Sequence, residues 1–301
     1  MKYGMRDSRC WVLSPAKVNL SLAVLGRRGD GYHALETVLA RLSWCDRLEC
    51  VATDSPHIDL HVQAQYPFGS WPAAAIPSDA RNLVYRAALL LQQRYHVTRG
   101  VSIRLWKTIP PQAGLGGGSS NAAAALWGLN RVWELNLAQT ELMGLASELG
   151  SDVPFFLSGA GYAQCTGRGE QVQPIDSAVR LWFVLAQSGG GLSTAAVYRA
   201  WQPEDSQPPT TSDVVAALQR GWTAGVIQQL RNDLQRPALR LMPELTRLFA
   251  AFTRLGITQP LMTGSGSVVY GVCDNYRQAQ RWAARLRAWR LPGVWVAAAG
   301  V

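Results

Sequence analysis

A glycine-rich stretch that runs directly into a helix-forming segment has the clearest chemical potential in this 301-residue sequence. Residues 109–121 are IPPQAGLGGGSSN, and the alanine run Ala122–Ala125 follows without a break. Glycine frees the backbone for conformations closed to other residues, and alanine is the best helix former. Unpaired N–H groups at the positive end of such a helix attract phosphate. The stretch therefore predicts a phosphate-binding loop.

The spacing of these glycines disfavours two common nucleotide sites. A Walker loop requires a lysine directly after its glycines, and none follows them here. The glycines also do not form a clean G-x-G-x-x-G with an acidic residue about 20 positions later. A flexible loop that happens to precede a helix is the simpler alternative. We favour phosphate binding because the helix begins at once, and because Ser119 and Ser120 lie where N–H groups converge.

Lysine is scarce in this arginine-rich chain, which contains only Lys2, Lys17 and Lys107. An ammonium group is a compact charge, unlike the flat fork of arginine. Lys17 and Lys107 both border turn-rich or glycine-rich segments, so each is a candidate for contact with an anionic substrate. The alternating pattern predicts that Lys17 and Asn19 share one face of a strand. A lysine on such a mostly apolar strand is expected at its edge or rim.

Asp152 is the acidic candidate, since it lies two positions before Pro154 at the start of an apolar segment. An acid at that position is commonly only a helix cap. His33 follows a turn signal, Asp30-Gly31, and on its own would be an ordinary surface or core residue.

Composition and charge narrow the class of protein. With 48% hydrophobic residues the chain can fill two domains of about 150 residues each. Five cysteines without a C-x-x-C pair indicate reduced, packed thiols in place of a zinc site or disulfide framework. No apolar segment has the length of a membrane span and no signal region is visible, so we expect a soluble, cytoplasmic protein with no membrane partner.

The net charge of +9 could suggest nucleic-acid binding. The arginines are spread along the chain, however, with no basic run and no interleaved aromatic residues. We therefore expect no nucleic-acid partner, and interpret the charge as a field that attracts a polyanionic small substrate.

Hydrophobic periodicity predicts a mixture of strands and helices. Strands are expected at residues 11–25, 101–106, 181–186, 268–272 and 294–298, with a hairpin or pair of strands at 48–62. Helices are expected at residues 82–95, 140–149, 213–218, 226–230, 243–255 and 275–289, and from the glycine loop to about residue 134. Residues 202–212 should form an exposed linker. Strands and helices do not alternate regularly, so an α+β class fits better than α/β.

Five motifs, taken in order along nearly the whole chain, resemble those of the GHMP kinase superfamily. They are PAKVNL at 15–20, DGYH at 30–33, the loop at 110–121, GSDVP at 150–154 and TGSG at 263–266. The resemblance implies an ATP-binding domain over residues 1–158, with a fold like domain 2 of ribosomal protein S5. It also implies a C-terminal α+β substrate-side domain over residues 159–301, and it allows the last strand of that domain to return to the first.

The combination of motifs is similar to the members that phosphorylate the 2-hydroxyl of a CDP-linked methylerythritol in non-mevalonate isoprenoid synthesis. ATP would be the phosphoryl donor, with Mg²⁺ held by ligands that the motifs do not assign. Another GHMP kinase of homoserine or mevalonate type would share the loop but need no cytosine clamp. A non-catalytic GHMP-fold binding protein would need neither Lys17 nor Asp152.

The resemblance assigns roles to individual residues. Lys17 and Asp152 match the catalytic pair, His33 would bind the cytosine edge, and Tyr32 and Tyr198 would stack on its ring. The remaining substrate positions are Asn19, Gly264 and Ser265. The ATP positions are Asn82, Lys107, Pro111, Gln112, Ala113, Gly114, Leu115, Gly116, Gly117, Gly118, Ser119 and Ser120. One departure is Asn121, where many relatives carry aspartate.

Overall fold

The computed structural model describes residues 2–6, 8–65, 76–187, 190–291 and 293–300. The chain forms two compact units, each assembled from separate stretches of sequence. The first comprises Met1–Ala16, Cys45–Pro110 and Gly116–Gly159, and the second comprises Lys17–Trp44, Pro111–Leu115 and Ala160–Val301. The sequential division at residues 158 and 159 stays a prediction.

The first unit contains strands and, in its described residues, four helices. Its strands are β1 (Tyr3–Arg6), the start of β2 (Arg9–Arg27), the end of β3 (His33–Thr53), β4 (Ile58–Ala64) and β5 (Gly100–Lys107). β5 pairs antiparallel with β3 and parallel with β4. Of the two alternatives expected at residues 48–62, the structure has the pair of strands and not the hairpin, because β3 and β4 each pair with β5. Alternation alone cannot distinguish direct pairing from pairing through a third strand.

The helices of the first unit are α1 (Leu83–Tyr95), α2 (Gly117–Val132), α3 (Gln139–Leu149) and α4 (Val153–Ser158). α2 packs against α1 and α4. The side chains of its alanine run, Ala122–Ala125, are completely buried. Small side chains allow neighbouring elements to approach a helix closely on several sides, so packing fixes the position of α2.

The second unit is built on an antiparallel sheet whose strands lie in the order β12-β8-β11-β10. Its strands are β6 (Tyr162–Thr166), β7 (Gln171–Ile175), β8 (Leu181–Gln187), β9 (Arg231–Asn232), β10 (Leu261–Met262), β11 (Val268–Cys273) and β12 (Val294–Ala299). Its helices are α5 (Thr194–Ala200), α6 (Thr211–Gln219), α7 (Thr223–Gln228), α8 (Gln235–Leu241), α9 (Leu245–Arg254) and α10 (Tyr276–Ala288). Buried side chains of α9 and α10, such as Phe252 and Leu286, share a hydrophobic core with β8 and β11.

The segment at residues 202–212 is mostly exposed, as expected, but two of its residues are buried. Asp205 is only 5% exposed and forms an ion pair with Arg240 of α8, at 2.7 Å. Thr211 is buried and begins α6. Prolines and acidic residues predicted a solvated segment, but a carboxylate with an arginine partner can be buried. Among the helices that the structure describes, none has the length and apolar character needed to cross a bilayer.

Candidate active site

The glycine loop opens into α2 as the sequence predicts. Gly116 takes a left-handed conformation, with φ of 67°, and its carbonyl accepts the first helical hydrogen bond from Ser120 N at 2.9 Å. The N–H groups of Gly117, Gly118 and Ser119 precede that bond and have no acceptor within the helix. Gly118 is exposed, and a methyl group there would meet only Leu83 Cδ1, at 3.8 Å. This end of α2 therefore offers N–H donors to an anion.

A buried polar network lies against the start of α2. The ammonium of Lys107 forms an ion pair with Asp46 and donates to Asn121 Oδ1 at 3.0 Å. Asp46 also accepts from Asn121 Nδ2 at 2.9 Å, and from the backbone N–H groups of Thr108 and Ile109 at 2.7 and 2.9 Å. One carboxylate therefore secures both the approach to the loop and the helix that follows it.

The network explains the asparagine at position 121. Lys107 and Asp46 balance each other's charge, and a second carboxylate would leave this buried cluster with a net negative charge. Asn121 Nδ2 also donates to Ser14 Oγ at 2.8 Å, and that hydroxyl donates to Ser120 Oγ at 2.9 Å. The side chains of Lys107 and Ser120 thus serve internal contacts, while their assigned contacts with ATP stay predictions.

A second glycine turn holds the first part of the loop. Gly114 has φ of +75°, and a methyl group on it would lie 2.0 Å from the carbonyl oxygen of Thr263. The Thr263 hydroxyl lies 3.2 Å from Gly114 O, and Val268 N donates to Ala113 O at 3.3 Å. Leu115 O accepts from Lys17 N at 3.0 Å. Residues 111–115 are therefore bonded to both β2 and the turn at 263–266.

Lys17 and Asn19 do share one face of β2, because the ammonium donates to Asn19 Oδ1 at 2.6 Å. The expectation that Lys17 lies at a rim is wrong, since Lys17 is 4% and Asn19 3% exposed. Asn19 Nδ2 donates to Thr37 Oγ1 at 2.9 Å, and a methyl group on Gly264 would lie 3.2 Å from the ammonium. Polar partners offset the cost of burying the charge.

Asp152 occupies the N-cap position of α4, but its side chain makes no capping hydrogen bond. The simple alternative, that this acid only caps a helix, is therefore not what the structure shows. Asp152 is partly buried and belongs to the first unit, while Lys17 belongs to the second. Their action as a catalytic pair stays a prediction.

Two aromatic rings contact His33 in the second unit. Its ring stacks on Tyr198 with centroids 5.2 Å apart, and Trp201 approaches edge-on at 5.4 Å. Burial and the nearby charge of Arg27 lower the pKa of His33 below its ordinary value. Trp201 was not predicted, although it follows Tyr198 by one helical turn and so faces the same side.

The other assigned residues fall into different surroundings. Tyr32 is 55% exposed, and the guanidinium of Arg168 lies 5.0 Å from its ring centre. Asn82 caps α1 by accepting from Val84 N at 2.9 Å. Ser265 is buried with its hydroxyl 2.9 Å from that of Thr194. The structure thus brings His33 and Tyr198 together, and Lys17, Asn19 and Gly264 together.

Comparison with known proteins identifies the family of this chain. Residues 82–160 match the family "GHMP kinases N terminal domain", and residues 214–289 match "GHMP kinases C terminal". A relative from Shouchella clausii, named 4-diphosphocytidyl-2-C-methyl-D-erythritol kinase, is 40% identical over 93% of this chain and 89% of its own length. The chain belongs to the GHMP kinase family. Like other GHMP kinases, it is a phosphotransferase that takes its phosphoryl group from ATP.

Solved structures give the same result for this GHMP kinase. A crystal structure of 4-(cytidine 5′-diphospho)-2C-methyl-D-erythritol kinase matches with a TM-score of 0.77 and 38% identity, over 97% of this chain and 99% of that one. Homoserine kinase from Cytophaga hutchinsonii matches with a TM-score of 0.74 but only 14% identity, over 99% and 96% of the chains. The second match shows the shared fold alone. The predicted two-domain α+β GHMP fold is confirmed.

Proposed function

We propose that this GHMP kinase transfers the γ-phosphoryl group of ATP to the 2-hydroxyl of 4-diphosphocytidyl-2-C-methyl-D-erythritol, in isoprenoid precursor synthesis. The relatives that share 38–40% identity carry that name. The observation that carries the proposal is the position of the Lys17 ammonium. It is buried against Asn19 and against Gly264, whose turn contacts Gly114 of the phosphate loop. A fixed cation beside a phosphate loop suits a reaction that moves negative charge.

Phosphoryl transfer needs little covalent help from the protein, so positioning and electrostatics supply most of the catalysis. The N–H groups at the start of α2 would hold the phosphates of ATP. Asp152 would accept the proton of the attacking hydroxyl, and Lys17 would orient that carboxylate and favour its charged form. A general base contributes about 10²- to 10⁴-fold, and positioning can contribute about 7–11 kcal/mol.

Mg²⁺ fits this proposal as an ion that comes with the nucleotide. Across the described ranges, no three His, Cys, Asp or Glu side chains cluster as a metal cage would require. Mg²⁺ is usually held by one or two carboxylates together with phosphate oxygens and water. The hydroxyl of Ser119, a partly buried residue in the first turn of α2, is the oxygen donor that this chain would offer. The ion would neutralise phosphate charge.

Specificity for the cytidine group would come from the rings around His33. Stacking on a base contributes about 1–3 kcal/mol. A neutral imidazole offers both a donor and an acceptor to the base edge. A base with the wrong edge would leave a buried polar group without a partner, which is costly. We also propose that the enzyme works in the cytoplasm on small molecules, since ATP and the CDP-linked alcohol are both water-soluble.

An ATP-consumption assay with three alcohols tests the proposal directly. The CDP-linked methylerythritol, homoserine and mevalonate would be compared at equal concentrations, with Asp152→Asn as the matched inactive control. We expect turnover with the CDP-linked alcohol and a loss of that turnover in the variant. Faster phosphorylation of homoserine or mevalonate would assign a different substrate. ATP binding without turnover on any alcohol would favour the non-catalytic alternative.

A further inference from the structure

Asn232 of β9 holds the second glycine turn by its side-chain amide. Its Nδ2 donates to the carbonyl oxygens of Met262 and Gly264, each at 2.7 Å. Its Oδ1 accepts from Leu234 N at 2.9 Å. The residue is 6% exposed. Every hydrogen-bonding atom of this side chain is therefore used, and two of the bonds fix one turn.

The turn at residues 263–266 contacts two parts of the proposed phosphoryl-transfer site within the second unit. One is the segment of β2 that carries Lys17 and Asn19, and the other is Gly114 of the glycine loop. Asn19 N donates to the Thr263 hydroxyl at 3.1 Å, and this hydroxyl lies 3.2 Å from Gly114 O. The backbone of Gly264 lies close to the Lys17 ammonium, since a methyl group on Gly264 would be 3.2 Å from that nitrogen. The position of the turn therefore sets the position of the ammonium relative to residues 111–115 of the glycine loop.

Asn232 is itself tied to the strand that carries Lys17. β9 pairs parallel with β2, with Leu22 opposite Asn232. Asp233 N donates to Leu22 O at 3.0 Å, and Asp233 Oδ2 accepts from Val24 N at 2.9 Å. One side chain thus connects β2 with the turn, and the turn returns to β2 through Asn19.

We propose that Asn232 is a positioning residue for phosphoryl transfer, which acts through the turn at residues 263–266 to set the distance between Lys17 and residues 111–115 of the glycine loop. The inference rests on the proposed role of Lys17. Its chemistry requires an amide, because only the –NH₂ group supplies two donors to two carbonyls while the oxygen accepts from a third group. A carboxylate of the same shape would repel both carbonyl oxygens.

The test compares Asn232→Asp with Asn130→Asp. Asn130 is a matched control, because it is also buried and its side chain bonds only the backbone of Leu137 in the described part of the chain. We expect Asn232→Asp to lower kcat by about 10- to 100-fold, while Kd for ATP stays within about threefold. Asn130→Asp should keep kcat near that of the unsubstituted enzyme.

A pH profile separates positioning from a merely structural role. As pH falls, the substituted carboxyl gains a proton and regains one donor. The difference in kcat between Asn232→Asp and the unsubstituted enzyme should therefore become smaller. Asn232→Ser, which keeps one donor, should show an intermediate loss. Each variant is compared with the unsubstituted enzyme at the same pH, so that other titrations cancel.

Three results would overturn the inference. They are an unchanged kcat in Asn232→Asp, an equal loss in Asn130→Asp, and global unfolding of both Asn232 variants, which would make the residue a folding determinant. The unsubstituted enzyme is assayed first. If it does not phosphorylate the CDP-linked alcohol, the proposed function fails, whereas the inference about Asn232 fails only against an active enzyme.

Discussion

The imidazole of His33 lies nearly parallel to the ring of Tyr198, with 28° between their planes and 5.2 Å between their centres. Trp201 contacts the same imidazole edge-on. Burial and the charge of Arg27 lower the pKa of His33 from its ordinary value of 6.5. The ring is therefore neutral at pH 7 and carries one donor and one acceptor, which suits a nucleobase edge.

This arrangement predicts how substrate affinity depends on pH. KM for the CDP-linked alcohol should stay constant above the ordinary pKa of 6.5 and rise at lower pH, as His33 becomes protonated and loses its acceptor.

A lowered pKa means that the unfolded chain binds the proton more readily. The contribution of this group to stability is therefore complete above its unfolded pKa and decreases as pH falls below it.

His33→Gln is the variant to measure beside the unsubstituted enzyme, from about pH 5 to about pH 8. It should raise KM for the CDP-linked alcohol more than it lowers kcat, and it should remove the acid rise in KM. KM for ATP serves as the internal control and should not change. A decrease in kcat as large as the increase in KM would place His33 among the catalytic groups.

Asp152→Asn should reduce kcat by about 10²- to 10⁴-fold, because an amide cannot accept the proton of the attacking hydroxyl. Kd for ATP, measured by calorimetry, should change little. A variant that kept turnover within about twofold on the CDP-linked alcohol would show that another group accepts the proton.

Gly114→Ala and Gly118→Ala form a matched pair of variants. The first tests a position where a methyl group would clash with the protein itself, and the second tests a position where it would occupy space proposed for phosphate. The methyl group at position 114 would lie 2.0 Å from Thr263 O, on a backbone with positive φ, so that variant should lose thermal stability. The methyl group at position 118 would meet only Leu83 Cδ1, at 3.8 Å, so that variant should keep its thermal stability.

ATP binding should respond differently in the same pair. If phosphate lies against the start of α2, Gly118→Ala should weaken ATP binding although the fold is intact. Normal ATP affinity in Gly118→Ala would contradict the proposed position of the phosphates.

Asp46→Asn should destabilise the protein by about 3–5 kcal/mol, because it leaves the buried ammonium of Lys107 without its counter-ion. The double variant Asp46→Asn with Lys107→Met should be less destabilised than Asp46→Asn alone. Urea denaturation without ATP measures both. A double variant that lost the sum of the two single effects would show that the two side chains do not act as a pair.

The sequence predicted the parts of the site that depend on local backbone chemistry. The loop at 114–118, the helix after it and the shared face of Lys17 and Asn19 follow from glycine, alanine and alternation. The burial of Lys17 could not be predicted in this way. It depends on Thr263 and Gly264, which lie more than 240 positions away in the sequence and carry no periodic signal.

Elements that depend on tertiary pairing were also missed. β9 has only two residues and exists because it pairs with β2, so no pattern within it could predict a strand. α8 contains Pro237, which obscured its helical pattern although proline is tolerated in a first turn. Asn232 is the last residue of β9 and is followed closely by α8, so its role became visible only from its contacts.

The alanines of α2 connect distant packing to nucleotide affinity. Ala122–Ala125 are completely buried. A larger side chain at one of these positions would therefore displace α2 as a whole, and the N–H groups of the first turn of α2 would move with it. Temperature-sensitive alleles that impair ATP use should therefore arise at this run, in residues that never meet the nucleotide.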